Sequence, residues 1–356
     1  MSILDNETKI KKLDKANMLG SIKELGLQCQ QAWQETKEVK IPASYTGVKN
    51  VVINGMGGSA LGGQIIQFLF WEKLKLPIQV INSYTLPASV TKDTLYIVSS
   101  YSGNTEEPLN TIGPAQKRGA KVLGISHGGK LGKLISQGRI PGYLFDDKYN
   151  SGSVPRMGIG YSVFGQLGLF QKCGLINIKD KEVASVIKLI KLANSKFGLK
   201  ASRNKNAAKQ TAEKLVGRIP CIVVADFLAG NAQAFRNQLD EGGKNFANFF
   251  VVSELNHYLM EGLGHPKKGK KFLKFFFIQS SLYYPKNQKR IEVTKDVVES
   301  NSLDFIEYKL QGKTKLEQSF ELLIFGSYVS FYLAMLNGVD PSPNLWVDYF
   351  KEQLNK

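Results

Sequence analysis

Twice in the first third of the chain a short apolar run ends in a Gly/Ser-rich turn and gives way to residues with helical spacing. Val51-Val52-Ile53 stops at Asn54-Gly55-Met56-Gly57-Gly58-Ser59, and a helix follows through Gln64–Phe70. Leu95-Tyr96-Ile97-Val98 stops at Ser99-Ser100-Tyr101-Ser102-Gly103-Asn104-Thr105-Glu106-Glu107, and helical spacing runs from Glu106 to Gly119. Apolar runs this short, closed by turn residues, read as buried strands. Strands that alternate with helices form parallel sheets, because each crossover helix must cover a sheet face. Ile78–Ile81 and Lys121–Ile125 add two more strands, so the pattern predicts an α/β fold with a doubly wound parallel sheet.

The pattern recurs in the second half. Arg218–Val224 matches the first strand and Asp226–Gly230 its turn, while Phe272–Gln279 with Ser280-Ser281 stands where Tyr96–Ser102 stood. Asp304–Tyr308 reads as a further strand and Leu316–Asn337 as a long helix; Ile3–Lys37 reads as helical. Two similar halves follow, residues 1–176 and 209–356, joined by a Lys- and Asn-rich linker or helical segment at 177–208.

With 356 residues, the chain is long enough for about two domains, and 43% hydrophobic with 22% charged residues describes a globular protein. The richest apolar runs, such as Phe272–Ser280, are strand-sized, so no membrane span is expected. Met1–Lys15 carries both charge signs and lacks a leader pattern, which predicts a cytoplasmic address. Cys29, Cys173 and Cys221 have no paired spacing, and His127, His257 and His265 form no metal-binding motif, so neither a disulfide framework nor a metal is expected. The net charge of +17 is spread over the chain apart from Lys267-Lys268-Gly269-Lys270-Lys271, which reads as a solvated loop. This charge suits small anions, and no nucleic-acid partner is expected.

Both turns have the chemistry of an anion cradle. At a strand-to-helix turn the backbone N–H groups are free and the helix dipole favours negative charge. Ser100, Ser102 and Thr105 add donors without charge, Gly57 and Gly58 permit close backbone approach, and Ser59 adds a hydroxyl. The second turn holds no lysine, unlike the nucleotide P-loop. Gly55, Gly57 and Ala60 fit only a relaxed dinucleotide fingerprint, and Gln79–Asn82 lacks the acidic ribose contact, so no nicotinamide cofactor is expected.

Together, G-M-G-G-S and S-Y-S-G-N-T-E-E resemble the SIS family of phosphosugar-binding domains, and the resemblance covers the whole chain if the second half is a diverged copy. It implies two flavodoxin-like SIS subdomains with flanking helices, and a substrate phosphate held by Gly57, Gly58, Ser59, Ser100, Ser102 and Thr105. Asn237-Gln238-Leu239-Asp240-Glu241 and Ser253-Glu254-Leu255-Asn256-His257 narrow the resemblance to the bifunctional phosphoglucose/phosphomannose isomerases. Within that group the resemblance implies that Glu241 moves the proton between C2 and C1 of a sugar phosphate and that His257 assists ring opening. Arg156 would stabilise the enediolate, and Lys351 resembles a lysine of the last helix. Taken singly, Glu241 reads as a surface carboxylate, His257 as a structural histidine and Lys351 as an exposed terminal-helix lysine. The implied reaction interconverts glucose 6-phosphate, and also mannose 6-phosphate, with fructose 6-phosphate without a cofactor, in a homodimer whose active site is shared. The alternative from another class is a phosphosugar sensor without turnover. Tyr258-Leu259-Met260 departs from the family's more polar pattern, and either Ser342 or Asn344 is expected near the sugar.

Overall fold

The computed structural model describes residues 3–354 and 356. Its first sheet contains β1 (Asn50–Gly55), β2 (Ile78–Ile81), β3 (Thr94–Ser99), β4 (Lys121–Ser126) and β5 (Gly142–Leu144), in the order β2-β1-β3-β4-β5. The second contains β6 (Ile219–Ala225), β7 (Asn248–Val252), β8 (Leu273–Gln279) and β9 (Asp304–Lys309), in the order β7-β6-β8-β9. Every pairing is parallel. The strands β6 to β9 therefore repeat the arrangement of β1 to β4, and the α/β class and the two similar halves expected from sequence are both present. Helices cover both faces of each sheet, which is why β1, β3, β6 and β8 read as apolar runs without alternation. In the first sheet the register pairs Gly55 with Ser99, so the two Gly/Ser-rich turns leave the sheet side by side.

Several helices differ from the sequence reading. Ile3–Lys37 is broken into Glu7–Leu13 and Met18–Glu38, because the buried Asp14 carboxylate accepts from the amides of Met18 (2.6 Å) and Leu19 (3.0 Å) and caps a new helix. Burial raises the Asp14 pKa, and those two amide bonds oppose the rise. The helix after β1 starts at Gly58 rather than Gln64. Glu106–Gly119 splits into Glu106–Asn110 and Ile112–Lys117, with the Thr111 hydroxyl donating to Pro108 O at 2.7 Å between them.

In the segment expected to join the halves, the Asp180–Phe197 helix buries Val183, Val186, Ile190, Ala193 and Phe197 in the core. The fully buried Lys209 fastens the following Ala207–Leu215 helix. Its ammonium donates to Asp5 Oδ1 (2.9 Å) and to the carbonyls of Leu199 and Ala201 (both 3.0 Å), so each of its three protons has an acceptor.

The expectation of no membrane-length apolar stretch needs correction. The Lys315–Leu336 helix, with mean hydropathy 1.5 over its best window, is long and apolar enough to cross a bilayer by composition, but 94% of that window is buried inside the protein. A helix apolar on all sides needs either lipid or protein around it, and here both halves of the protein surround it. Asn231 and Ser319 bond reciprocally at 2.9 Å to hold this helix against the Ala229–Asn237 helix that follows β6.

The helices that follow the first strand of each half, Gly58–Leu69 and Ala229–Asn237, cross at Gly230. A Cβ there would lie 2.4 Å from the Gln64 carbonyl oxygen. Since the obstacle is backbone, Gly230→Ala is expected to destabilise the protein by ~1–3 kcal/mol, as overpacking does, and urea unfolding would measure it.

Candidate active site

The first cradle is built from hydrogen bonds between its own loops. Gly57 (φ 49°) turns the chain into its helix, and the Ser59 hydroxyl accepts from the Tyr101 amide at 3.0 Å, tying the two turns together. Ser100 is buried; its Oγ accepts from the Gly103 amide at 3.1 Å and lies 2.8 Å from Thr105 Oγ1. The exposed Ser102 accepts from the Asn104 amide at 3.3 Å. Gly103 (φ 69°) presses on the next loop so closely that a Cβ would fall 1.8 Å from the Gly128 carbonyl oxygen. Beneath them Tyr101 donates to Asp147 Oδ2 at 2.6 Å and accepts from Asn150 Nδ2 at 2.8 Å, while burial and then the bond to Asp147 push its phenol above the usual range. A narrow cleft opens here, lined in part by Gly58, Ser59, Ser99, Tyr101 and Arg156.

The second half turns the same corner differently. Asp226 follows β6 as Gly57 follows β1, and it has the same φ of 49°. Its carboxylate accepts from the Tyr284 amide (2.7 Å) and from Asn287 Nδ2 (2.6 Å) at the start of the Pro285–Ser300 helix. The negative charge favoured at a helix start is thus supplied by the chain itself.

Arg156 lies on a 3-10 turn, Pro155–Met157, ahead of the Ile159–Lys172 helix. It also bounds a second cleft, lined by Gly58, Gln238, Glu241, Phe331 and Pro341 among others. Glu241 reaches this space from a π-helical turn, Gln238–Gly242, that widens the end of the Ala229–Asn237 helix. Such turns are frequent at functional sites because they re-aim a side chain. The Arg156 Nη2 donates to the carbonyls of Pro341 (2.5 Å) and Ser342 (2.9 Å), and among the described residues none accepts from its buried Nε. Burial lowers the Arg156 pKa, and the charges of Glu241 and Asp340 counter the fall. Asn344 Nδ2 approaches Glu241 Oε2 at 3.5 Å.

Of the residues singled out from sequence, Gly58, Ser59, Arg156 and Glu241 line these two spaces, which share Gly58, Arg156 and Ile159. Ser100, Ser102 and Thr105 belong to the loop wall rather than the lining, and Gly57 is exposed at the rim. His257, on the Glu254–His257 turn, and Lys351, on the Leu345–Leu354 helix, are exposed and line neither space.

The structure adds residues that sequence reasoning missed. Pro341, Gln238 and Lys244 surround Glu241 or its neighbours. The sequence signals available were a Lys three places after Glu241 and the turn-forming Asp340-Pro341-Ser342-Pro343.

A model of the bacterial phospho-glucose isomerase C-terminal SIS domain matches residues 204–354. Over 338 residues, spanning 95% of this chain and 98% of the relative, the sequence is 32% identical to the bifunctional phosphoglucose/phosphomannose isomerase of Caldicellulosiruptor bescii. The chain belongs to the bifunctional phosphoglucose/phosphomannose isomerase family. The Aquifex aeolicus protein of the same description is 29% identical over 334 residues, covering 93% of this chain and 97% of its own. A solved structure of a hypothetical protein from Thermus thermophilus shares the fold with a TM-score of 0.76 at 13% identity, covering 98% of this chain and 93% of that one.

Within this family member, the roles of the two loop serines in stability separate cleanly. Ser100→Ala removes one of two acceptors of the Gly103 amide, the Ser100 carbonyl at 3.1 Å remaining, together with the contact to Thr105 Oγ1, and is expected to destabilise by ~1–1.5 kcal/mol. Ser102→Ala, at the surface, should stay within about 0.5 kcal/mol of wild type. Denaturant midpoints for the pair would check the contrast.

Proposed function

We propose that this chain is an aldose–ketose isomerase that interconverts D-glucose 6-phosphate, and also D-mannose 6-phosphate, with D-fructose 6-phosphate. The observation that carries the reading is the meeting of Glu241 and Arg156 in one cleft beside the Gly58–Ser59 cradle. Moving a hydrogen between C2 and C1 needs a base on one face of the sugar and a cation for the negative oxygen of the enediolate. Glu241 takes the C2 proton and returns it to C1. Arg156, which lines the same cleft as Glu241, meets the developing oxyanion.

The C6 phosphate is held by Gly57, Gly58 and Ser59 and by the Ser100, Ser102 and Thr105 loop, so that C1 and C2 stay near Glu241. Glu241 is protonated when it takes the C2 proton and is restored as a carboxylate when it returns that proton to C1, so this transfer needs no redox partner. A sensor without turnover would have no need to seat a carboxylate against a buried guanidinium.

Ring opening falls to His257, and Lys351 contacts the substrate, each supplied by a second copy of the chain. The exposed apolar face of the last helix supports this reading: Trp346 is 83% exposed, Leu345 71% and Phe350 60%. Apolar side chains this exposed on one short helix are what an interface core looks like before it is covered. We place the enzyme in the cytoplasm.

A coupled assay for fructose 6-phosphate, run with EDTA present, tests the chemistry. Glu241→Gln is expected to cut kcat by about 10²–10⁴-fold, the usual worth of a positioned base. Wild-type protein that binds sugar phosphate and turns none over would sink the isomerase in favour of the sensor. For the assembly, Trp346→Asp with Phe350→Asp is expected to convert a dimer to monomers in sedimentation and to abolish turnover; full activity from a wild-type monomer would refute the shared site.

A further inference from the structure

Glu241 and Arg156 come from different halves of the chain, yet both are met by one short strap, Asp340–Asn344, that follows the Lys315–Leu336 helix. Arg156 Nη2 donates to the Pro341 and Ser342 carbonyls at 2.5 and 2.9 Å. Asp340 Oδ1 stiffens the strap by accepting from the Ser342 amide (2.9 Å) and hydroxyl (2.6 Å).

A second cation holds the other end. Lys244 Nζ donates to the Pro343 carbonyl and to Asn344 Oδ1, the latter at 3.3 Å. This fixes the sense of the Asn344 amide: its oxygen faces the ammonium, so its Nδ2 is left facing Glu241 Oε2 at 3.5 Å. Lys244 also adopts φ 53°, a left-handed conformation unfavourable for a residue with a Cβ. Such an outlier persists where the surroundings hold it in place, and here it lies three residues after Glu241, at the exit of the π turn.

We propose that Lys244 is a positioning residue for the isomerisation: by clamping the Pro343–Asn344 end of the strap, it orients Asn344 on the Glu241 carboxylate and holds the carbonyls that seat Arg156. Lys244 does not touch substrate in this scheme; it acts through Asn344 and the strap backbone. The Lys244 side chain is partly buried, and burial, then the nearby Arg156, lowers its pKa against the opposing charges of Glu241 and Asp340. The inference rests on the isomerase reading above.

The test compares Lys244→Met, Lys244→Arg, Asn344→Leu and the Met/Leu double variant in the full-length protein. A misplaced base and cation should cost turnover more than binding, so Lys244→Met is expected to lower kcat by about tenfold or more while KM moves less than about threefold. Because both side chains serve one contact, the double variant should be no worse than the poorer single. Lys244→Arg, which can donate to the same acceptors, should recover most of the loss.

Hydrogen exchange supplies a readout independent of turnover. The amides of Asp340, Ser342, Asn344 and Leu345 should exchange faster in Lys244→Met than in wild type, with the β-strands unchanged. Unaltered kcat, additive losses in the double variant, or unaltered exchange in the strap would each overturn the proposal. Wild-type protein with no isomerase activity would instead defeat the functional reading, and the exchange experiment would still decide whether Lys244 clamps the strap.

Discussion

A guanidinium buried at the junction of the two halves sets the terms for the rest of the site. Arg156 has lost most of its water, and a charge in that position must be met by acceptors or by opposite charge. The carbonyls of Pro341 and Ser342 meet it directly, and Glu241 and Asp340 lie close enough to favour its charged form. These partners lie 185 and 186 positions away along the chain, so satisfying one side chain draws the C-terminal strap onto the first half. The carboxylate read here as the base gains from the same arrangement, because it faces a cation fixed before any ligand arrives.

The two halves show how one supersecondary plan can be used for opposite ends. In the first, the corner after β1 carries Gly57, and Gly58 and Ser59 border an open space together with Ser99 and Tyr101. In the second, the equivalent corner carries Asp226, which fills the helix start with the chain's own charge. What the second half contributes instead is Glu241, carried beyond the end of a regular helix by a π turn. Duplication thus supplies a rigid frame, and divergence at the strand ends gives the two corners different side chains.

The strands were the most legible part of the fold. Ile78–Ile81 matches the sequence reading residue for residue, and β1, β3 and β4 differ by a residue or two at their ends, because burial on both faces leaves an uninterrupted apolar run. Helices were less clear. The break at Asp14 depends on a carboxylate turning back onto two amides, and the start at Gly58 depends on how glycine is used in a turn rather than on its propensity. The Asp180–Phe197 helix looked like part of a joining segment because residues 177–208 as a whole are rich in Lys and Asn, while the five residues that bury it occupy a single stripe. In the Lys315–Leu336 helix the apolar content was plain, but only its neighbours decide between lipid and protein as the surrounding medium.

The sequence by itself determined the parallel sheets, the two halves, the strand-to-helix corners and the residue types able to hold a phosphate, because all of these follow from local periodicity and turn chemistry. Resemblance to a known family, rather than periodicity, marked Arg156 and Glu241 as candidates. Only the tertiary structure decided that these two share a cleft, that Ser100 is consumed inside its own loop, and that Asp226 closes the second corner. It alone revealed the Asp340–Asn344 strap between Arg156 and Lys244. The reason is that hydrogen bonding and desolvation act over a few ångströms in space, and neither a bond inside an irregular loop nor one between distant segments leaves a periodic trace in the chain that makes it.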